Sequence, residues 1–205
     1  MKLNAIKQAL AVIAPEALAE AEHAKKGALL DVTVSATQVV EAVSVLDKEG
    51  FFIEAITGVD WLGEKENAHK DAVAAAKKKA QDAGKAAAKK VADAGGDEEA
   101  QKAAQKEAEA GVAIPAAPVE PFSEEMEVVY DFNNFAEFCR VVLRTRVPRS
   151  NPEVPTISHI YPGANWHERE THDFFGIKFV GHPYLAPLLL PEDADFHPLK
   201  KDFHV

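Results

Sequence analysis

The chain has 205 residues, a formal net charge of −10 and a single cysteine. An acidic chain lacks the clustered cations that bind phosphate backbones, which argues against nucleic acid as a partner. One cysteine allows neither an internal disulfide nor an iron–sulfur cluster held by the chain's own thiolates, so any redox centre is expected in a partner.

A short amphipathic helix is predicted at the start of the chain, because Leu3, Ile6, Leu10 and Ile13 recur at spacings of three and four. Pro15 limits this helix, and we interpret residues 16–26 as its continuation at an angle. The apolar run has no small-residue cleavage pattern, which argues against a secretory signal. No stretch of eighteen apolar residues occurs, so we expect a soluble cytoplasmic protein that reaches a membrane only through other subunits.

Strand and helix patterns then alternate. Leu30 to Val34 alternates apolar and polar residues, which predicts a half-buried strand. A helix is predicted from a cap at Thr37 through Lys48, with Gly50 as its stop. A second strand is predicted from Phe51 to about Val59, so this part of the chain supplies two strands and the helix between them.

Composition changes abruptly in residues 64–111, which are rich in Ala, Lys and Glu. Residues 64–110 hold ten lysines against ten acidic residues, and such a segment cannot cover a core. Gly84 and the pair Gly95–Gly96 are expected to divide it into two or three helical pieces. We interpret it as an exposed insertion, with a docking arm for a partner as the alternative.

Two further strands are predicted, from Glu127 to Asp131 and from Phe138 to Val147. On the second, apolar residues alternate with arginines, which places the arginines on the solvent or partner face. The order of elements predicts an α+β fold, a mostly antiparallel sheet with helices on one face. One domain is expected from residues 1–63 and 112–180, followed by an extended C-terminal arm at 181–205.

A short charged helix is predicted from Trp166 to Phe175. Asn165 followed three residues later by Glu168 indicates a capping box, and Gly176 is the expected stop. Arg169 and Asp173 are four residues apart on one face and are expected to pair. The proline-rich, apolar arm beyond this helix is expected to lie on this domain or on a neighbour.

Histidines raise the question of a metal site, because six of the eight fall between His159 and His204. His167 and His172 are five residues apart, whereas two histidines that share a zinc ion on a helix are spaced by four. Glu168, Glu170 and Asp173 could act as a paired acid and base, or they could cap the helix and pair with Arg169. The sequence has no phosphate-binding loop of the form G-x-x-x-x-G-K-[ST] or G-x-G-x-x-G. It also has no G-x-S-x-G turn, which would present a nucleophilic serine. No catalytic, cofactor or metal residues are therefore predicted, and a free-standing metal-dependent enzyme is kept as a weak alternative.

The run from Ala164 to Pro183 closely resembles the signature of the 30 kDa subunit family of respiratory NADH:quinone oxidoreductase, or complex I. The same family occurs in membrane-bound energy-converting NiFe hydrogenases. The positions that match the signature and the tail motif, called signature residues below, are Glu168, Arg169, Glu170, Asp173, Gly176, Gly181, His182, Pro183, Pro198, Leu199, Lys201, Asp202 and Phe203. Thr33 to Gly63 and Val154 to Ser158 resemble the family as well.

The resemblance implies a cofactor-free peripheral subunit on the cytoplasmic side of the inner membrane. Its expected partners are a large catalytic subunit, which holds the quinone site in complex I or the NiFe centre in hydrogenases, and a small iron–sulfur subunit. Membrane subunits would be contacted only indirectly, and flavin would lie in another subunit of complex I. The expected role is assembly and shaping of the large subunit's surface, with the signature residues at the interface.

Two departures from the complex I pattern bear on the branch of the family. Ala186–Pro187 stands where complex I members usually have a basic pair, and the sequence ends at Val205, where they commonly continue. Both favour an energy-converting NiFe hydrogenase, with the 30 kDa subunit of NADH:quinone oxidoreductase as the alternative.

Overall fold

The computed structural model describes residues 2–13, 15–116, 118 and 122–204. The chain divides into two compact units. One is built from residues 1–62 together with 124–205, and the other from residues 63–123.

A five-stranded sheet forms the centre of the first unit. Its strands are β1 (Ala17–Glu20), β2 (Leu30–Thr33), β3 (Phe52–Asp60), β4 (Glu125–Asn134) and β5 (Cys139–Pro148), in the spatial order β1-β2-β5-β4-β3. β2 pairs in parallel with β5, and the other three pairings are antiparallel. Two short strands, β6 (Glu153–Pro155) and β7 (Lys178–Val180), pair in parallel beside this sheet.

Helices pack against the sheet through one shared core. The helices of this unit are α1 (Lys2–Ala11), α2 (His23–Lys26), α3 (Val39–Lys48) and α6 (Ala164–Phe175), whereas α4 (Glu64–Asp93) and α5 (Glu98–Ala110) form the second unit. Buried Ile6 of α1, Leu46 of α3 and Ala164 of α6 belong to the same cluster as Leu143 of β5. Burial of apolar surface of this kind supplies most of the stability of a domain. The α+β class and the mostly antiparallel sheet are confirmed.

Alternation along β5 is as predicted. Cys139, Leu143 and Val147 are buried, and the arginines lie on the other face. There Arg140 pairs with Glu54 and Asp131, Arg144 with Asp31 and Glu127, and Arg146 with Glu125. The arginine face is therefore an array of ion pairs.

Two local predictions about the first half of the chain are wrong. Residues 16–26 do not continue the first helix, because Ala17–Glu20 forms an edge strand that pairs with β2, and only His23–Lys26 is helical. Sheet pairing here overrides helix propensity. Thr37 does not cap the helix either, since a 3-10 turn spans Ala36–Gln38 and Ser35 stands at its start, where its amide donates to Gln38 Oε1.

The second unit is helical, as predicted. Gly95, with φ +81°, lies between α4 and α5, so the turn at Gly95–Gly96 separates two helices. Gly84 does not break α4, which runs without interruption from Glu64 to Asp93. A Cβ at this position would lie 2.6 Å from Glu109, so the glycine allows α5 to approach closely. None of the helices in the described part of the chain is long and apolar enough to cross a bilayer.

Candidate partner-docking site

The signature helix α6 begins without the predicted capping box. Gly163 is at the N-cap, no side chain caps the helix, and Asn165 lies inside it. Glu168 does not reach back to the helix start, because its side chain turns into the core and is fully buried. The C-terminal stop is as predicted: Gly176 has φ +72°, and its amide donates to the His172 carbonyl.

Glu168 fixes the segment after β6 to the helix. Its carboxylate accepts hydrogen bonds from Thr156 Oγ1 and from the Ile157 amide, the latter at 2.7 Å. Burial raises the pKa of Glu168 to about 7, although these two hydrogen bonds favour the ionised form. A carboxyl group with this pKa changes charge near neutral pH, which ordinary glutamates do not.

His182 lies against Glu168 from the arm. Its Nδ1 accepts a hydrogen bond from the Tyr184 amide at 3.1 Å, so the proton of a neutral ring is assigned to Nε2, which donates to the Asn165 carbonyl at 3.3 Å. Burial lowers the pKa of His182. The neutral imidazole therefore joins the start of the arm to the first turn of α6.

Arg169 and Asp173 do not pair with each other, which corrects the prediction from their spacing. Among the described residues, both bind the backbone of the arm instead. Arg169 donates from Nε to the Ala186 carbonyl at 2.8 Å and from Nη2 to the Pro187 carbonyl at 2.7 Å. Asp173 Oδ2 accepts from the amides of Leu188, Leu189 and Leu190 at 2.8, 2.8 and 3.3 Å. One helix face thus holds five consecutive residues of the arm by their main chain.

Gly176 lets the tail come close to the end of α6. A Cβ at Gly176 would lie 2.6 Å from the ring of His197, whose Nδ1 donates to the Asp173 carbonyl at 2.8 Å. The Leu199 amide donates to the Phe174 carbonyl at 3.0 Å. The two contacts hold the tail motif along the last turn of the helix.

Asp60 and Arg149 form a second attachment point for the tail. Arg149 binds Asp60 through Nε and Nη2 and also contacts Asp202, while the Lys201 amide donates to Asp60 Oδ2 at 3.0 Å. Burial would raise the pKa of Asp60, but hydrogen bonds from Arg149, Lys201 and Leu62 outweigh it and lower the pKa. The Arg149 hydrogen bond also lowers the pKa of Asp202. The Lys201 amide hydrogen bond and the Arg149–Asp202 ion pair keep these two signature residues on the domain.

The remaining signature residues expose apolar surface or shape the arm. Gly181 has φ +86°, Pro183 is exposed, Pro198 is half-buried, and Phe203 stacks on Phe196 with ring centroids 5.6 Å apart. Arg169 also lies over the rings of Trp166 and Tyr184, at 5.6 and 5.3 Å. Large apolar side chains on α6, β7 and the arm remain exposed: Trp166, Val180, Tyr184, Leu189, Phe196 and Leu199, called the apolar arm surface below.

Several of the histidines form hydrogen bonds with backbone groups. His172 Nδ1 is 2.9 Å from the Ile177 carbonyl, and His182 and His197 bind the backbone as described above. Within the described ranges, three His, Cys, Asp or Glu side chains do not come together in a group that could hold a metal ion.

Four residues that matter for the site were not predicted: Asp60, Arg149, Thr156 and His197. Asp60 and Thr156 lie in stretches that resemble the family, but their contacts join residues far apart in the chain. Arg149 follows the predicted strand that ends at Val147, and nothing in the sequence distinguishes its role. The spacing of His197 from α6 carries no signal either.

Fold and site define an α+β protein that fixes an apolar C-terminal arm to its own surface through a charged helix. Residues 91–205 match the family described as "Respiratory-chain NADH dehydrogenase, 30 Kd subunit". The chain therefore belongs to the 30 kDa subunit family of the respiratory-chain NADH dehydrogenase, which confirms the resemblance seen in the sequence.

Curated relatives are named as the C subunit of NADH-quinone oxidoreductase. The protein from Roseiflexus castenholzii is 53% identical over 76 residues, which is 37% of this chain and 44% of the relative. The protein from Mycobacteroides abscessus is 42% identical over 81 residues, or 40% and 36% of the two chains. The matches to these relatives span less than half of their length.

Solved structures share the fold at low identity. One is an archaeal respiratory membrane complex, the membrane-bound sulfane sulfur reductase, with TM-score 0.60 and 20% identity over 100% of this chain and 86% of that chain. Another is the trypsin-resistant fragment of Nqo5, with TM-score 0.51 and 20% identity over 90% of this chain and 100% of the fragment.

Proposed function

We propose that this chain is a peripheral docking subunit of a membrane-bound oxidoreductase of the complex I class, and that the apolar arm surface binds the large catalytic subunit. One observation carries the proposal: α6 holds residues 186–190 by their backbone, which leaves exposed side chains of the arm, such as that of Leu189, free to face a partner. Leu189 is 61% exposed, although its amide is bound to Asp173. Trp166 and Tyr184 are also exposed, and both lie against Arg169. Trp and Tyr are enriched among the residues that contribute most to binding at protein interfaces.

Among members of this class, we place the 30 kDa subunit of NADH:quinone oxidoreductase first. The relatives described above are named as a subunit of that enzyme and match at up to 53% identity. Ala186 and Pro187, which favoured a hydrogenase, contact Arg169 only through their carbonyl oxygens. Because any residue supplies a carbonyl, the loss of a basic pair there leaves this attachment unchanged. An energy-converting NiFe hydrogenase remains the second candidate, on the ground that the basic pair itself is absent.

The proposal assigns no redox group to this chain. The iron–sulfur clusters, together with flavin and quinone or a NiFe centre, would lie in partner subunits, the large catalytic subunit and the small iron–sulfur subunit among them. The chain would lie on the cytoplasmic side of the inner membrane and reach the membrane subunits through those partners. The unit of residues 63–123 would be a surface insertion.

Affinity purification of the tagged chain from detergent-solubilised membranes, followed by mass spectrometry, tests the proposal. A large subunit accompanied by flavin- and NADH-binding subunits supports the complex I assignment. A large subunit with paired C-x-x-C nickel ligands supports the hydrogenase instead. Absence of any membrane partner overturns both.

The apolar arm surface is tested in the same purification. Leu189→Asp should abolish recovery of the large subunit, because a carboxylate would be buried in the interface without a partner. Val12→Asp is the matched control, since Val12 is 84% exposed and lies outside the arm. Equal recovery with both variants would remove the arm from the interface.

A further inference from the structure

A groove runs between the signature helix and the edge strand of the sheet. Ala55–Thr57 of β3 form one wall, and His167, Glu170 and Phe174 of α6 form the other. Leu199 of the tail also lines the groove. The volume of the groove is about 350 Å³. The tail motif therefore completes a concave site that neither the helix nor the strand would form alone.

Glu170 is the charged signature residue for which the described part of the chain provides no partner. Among the described residues, Glu168, Arg169 and Asp173 are each bound within the chain, whereas the half-buried Glu170 makes no hydrogen bond and no ion pair. Much of the groove around it is apolar, with Phe174 on the same helix face one turn away. A half-buried carboxylate beside an aromatic ring can bind a cation, which pairs with the carboxylate and packs against the ring.

We propose that this groove binds an arginine side chain of the large partner subunit. Its guanidinium would pair with Glu170, and its aliphatic stem would lie along Phe174 and Leu199. Arginine fits better than lysine because its planar group binds a carboxylate through two nitrogens and also stacks on aromatic rings. The inference rests on the proposed function, since it names the contact through which the same partner is recognised.

The position of Leu199 supports this occupant. Leu199 is 52% exposed and belongs both to the groove and to the apolar arm surface, so the groove continues the surface proposed for docking. Specific interfaces usually combine an apolar core with a polar rim, and complementary charges across them fix the register. Glu170 would then set the register of the partner on the arm.

Salt resistance of the detergent-solubilised complex is the test. Complexes carrying the tagged wild-type chain, Glu170→Gln or Glu170→Arg are immobilised, and release of the large subunit is timed at increasing salt. Dissociation should be about tenfold faster with Glu170→Gln and faster still with Glu170→Arg. Glu41→Gln is the matched control, because Glu41 is exposed on α3 without a partner among the described residues, and it should behave as wild type.

A second variant keeps the test independent of the charge. Thr57→Trp fills the groove from the exposed face of β3 without altering Glu170, and it should also speed release. Thermal unfolding of Glu170→Gln should match wild type, because Glu170 makes no bond within the described chain. Once cross-linking has located the partner's arginine, its replacement by Glu combined with Glu170→Arg should restore slow release.

The outcomes separate the two proposals. If the wild-type chain carries the large subunit and the Glu170 variants hold it equally well, the groove proposal is overturned and the proposed function stands. If the wild-type chain carries no large subunit, both fail.

Discussion

The carboxylate of Glu168 lies 3.8 Å from Nε2 of His182, and both side chains are fully buried. Burial raises the pKa of Glu168 and lowers that of His182, so both groups favour their neutral forms. The arm therefore begins at a buried pair whose charge state depends on pH near neutrality.

Glu168 predicts a pH dependence of stability. Its pKa is about 7 in the folded chain, against an ordinary 4.5. Between these values the unfolded chain has lost the proton and the folded chain has kept it, so the free energy of unfolding falls as pH rises. The loss from this group amounts to about 3 kcal/mol, complete above the folded pKa.

Glu168→Gln should remove this loss. The measurement is urea unfolding between pH 4.5 and 8, followed by tryptophan fluorescence, because both tryptophans lie in the first unit. The lowered pKa of His182 acts in the opposite direction below pH 6.5, so the difference between variant and wild type is the informative quantity. That difference should favour the variant increasingly up to about pH 8, and parallel curves would contradict the assignment.

Asp173 should control the attachment of the arm. Asp173→Asn exchanges an acceptor of three amides for a side chain with its own N–H donors, and the free energy of unfolding should fall by about 1–3 kcal/mol. Hydrogen exchange at Leu188–Leu190 should accelerate more than exchange in β4. Asp193→Asn, an exposed change on the same arm, is the control. Unchanged exchange in both variants would show that Asp173 does not hold the arm.

Arg149→Ala should be far more costly than removal of a surface arginine. Asp60 is buried at 3% exposure, and without Arg149 its carboxylate loses its cation, which costs on the order of 3 kcal/mol. Arg146→Ala removes an ion pair with Glu125 near solvent and should lower the free energy of unfolding by less than about 1 kcal/mol. Equal losses in denaturant unfolding would rule out a special role for the Asp60 contact.

Two glycines at the ends of α6 allow a matched comparison. Gly176→Ala places a methyl group at φ +72° and against His197, so it should destabilise the domain by about 1–2 kcal/mol and loosen the tail. Gly163 has φ −63° and open space where a methyl group would lie, so Gly163→Ala should be neutral or stabilising by up to about 1 kcal/mol. Thermal unfolding distinguishes them, and similar shifts would refute the close approach at Gly176.

The insertion should be removable. The Trp61 amide donates to the Glu125 carbonyl at 3.0 Å, so the points where the insertion leaves and rejoins the first unit already lie side by side. Joining Gly63 to Gly111 by a short loop should leave the tryptophan-monitored unfolding of that unit within about 1 kcal/mol of wild type. Failure of the shortened chain to assemble with the large subunit would favour the docking-arm alternative.

Local patterns in the sequence were sufficient for most elements. Alternation predicted β2 and β5, helical spacing predicted α1, and Gly50 and Gly176 marked the ends of α3 and α6, because these signals depend on residues close together in the chain. The edge strand β1 was missed, since its pairing with β2 depends on tertiary contacts that outweigh its helix-like composition.

Residues close together in the chain were enough to identify the family, most of the elements and the positions of the charged residues on α6. What those charges bind depends on contacts that form only in the folded chain. Arg169 and Asp173 are four apart and were expected to pair, but the arm presents carbonyls and amides 15 to 18 residues away that satisfy both more fully. Lys201 reaches Asp60 across 141 residues. Such contacts depend on how the folded layers bring distant backbone groups together. The spacing of neighbouring residues in the sequence therefore does not predict them.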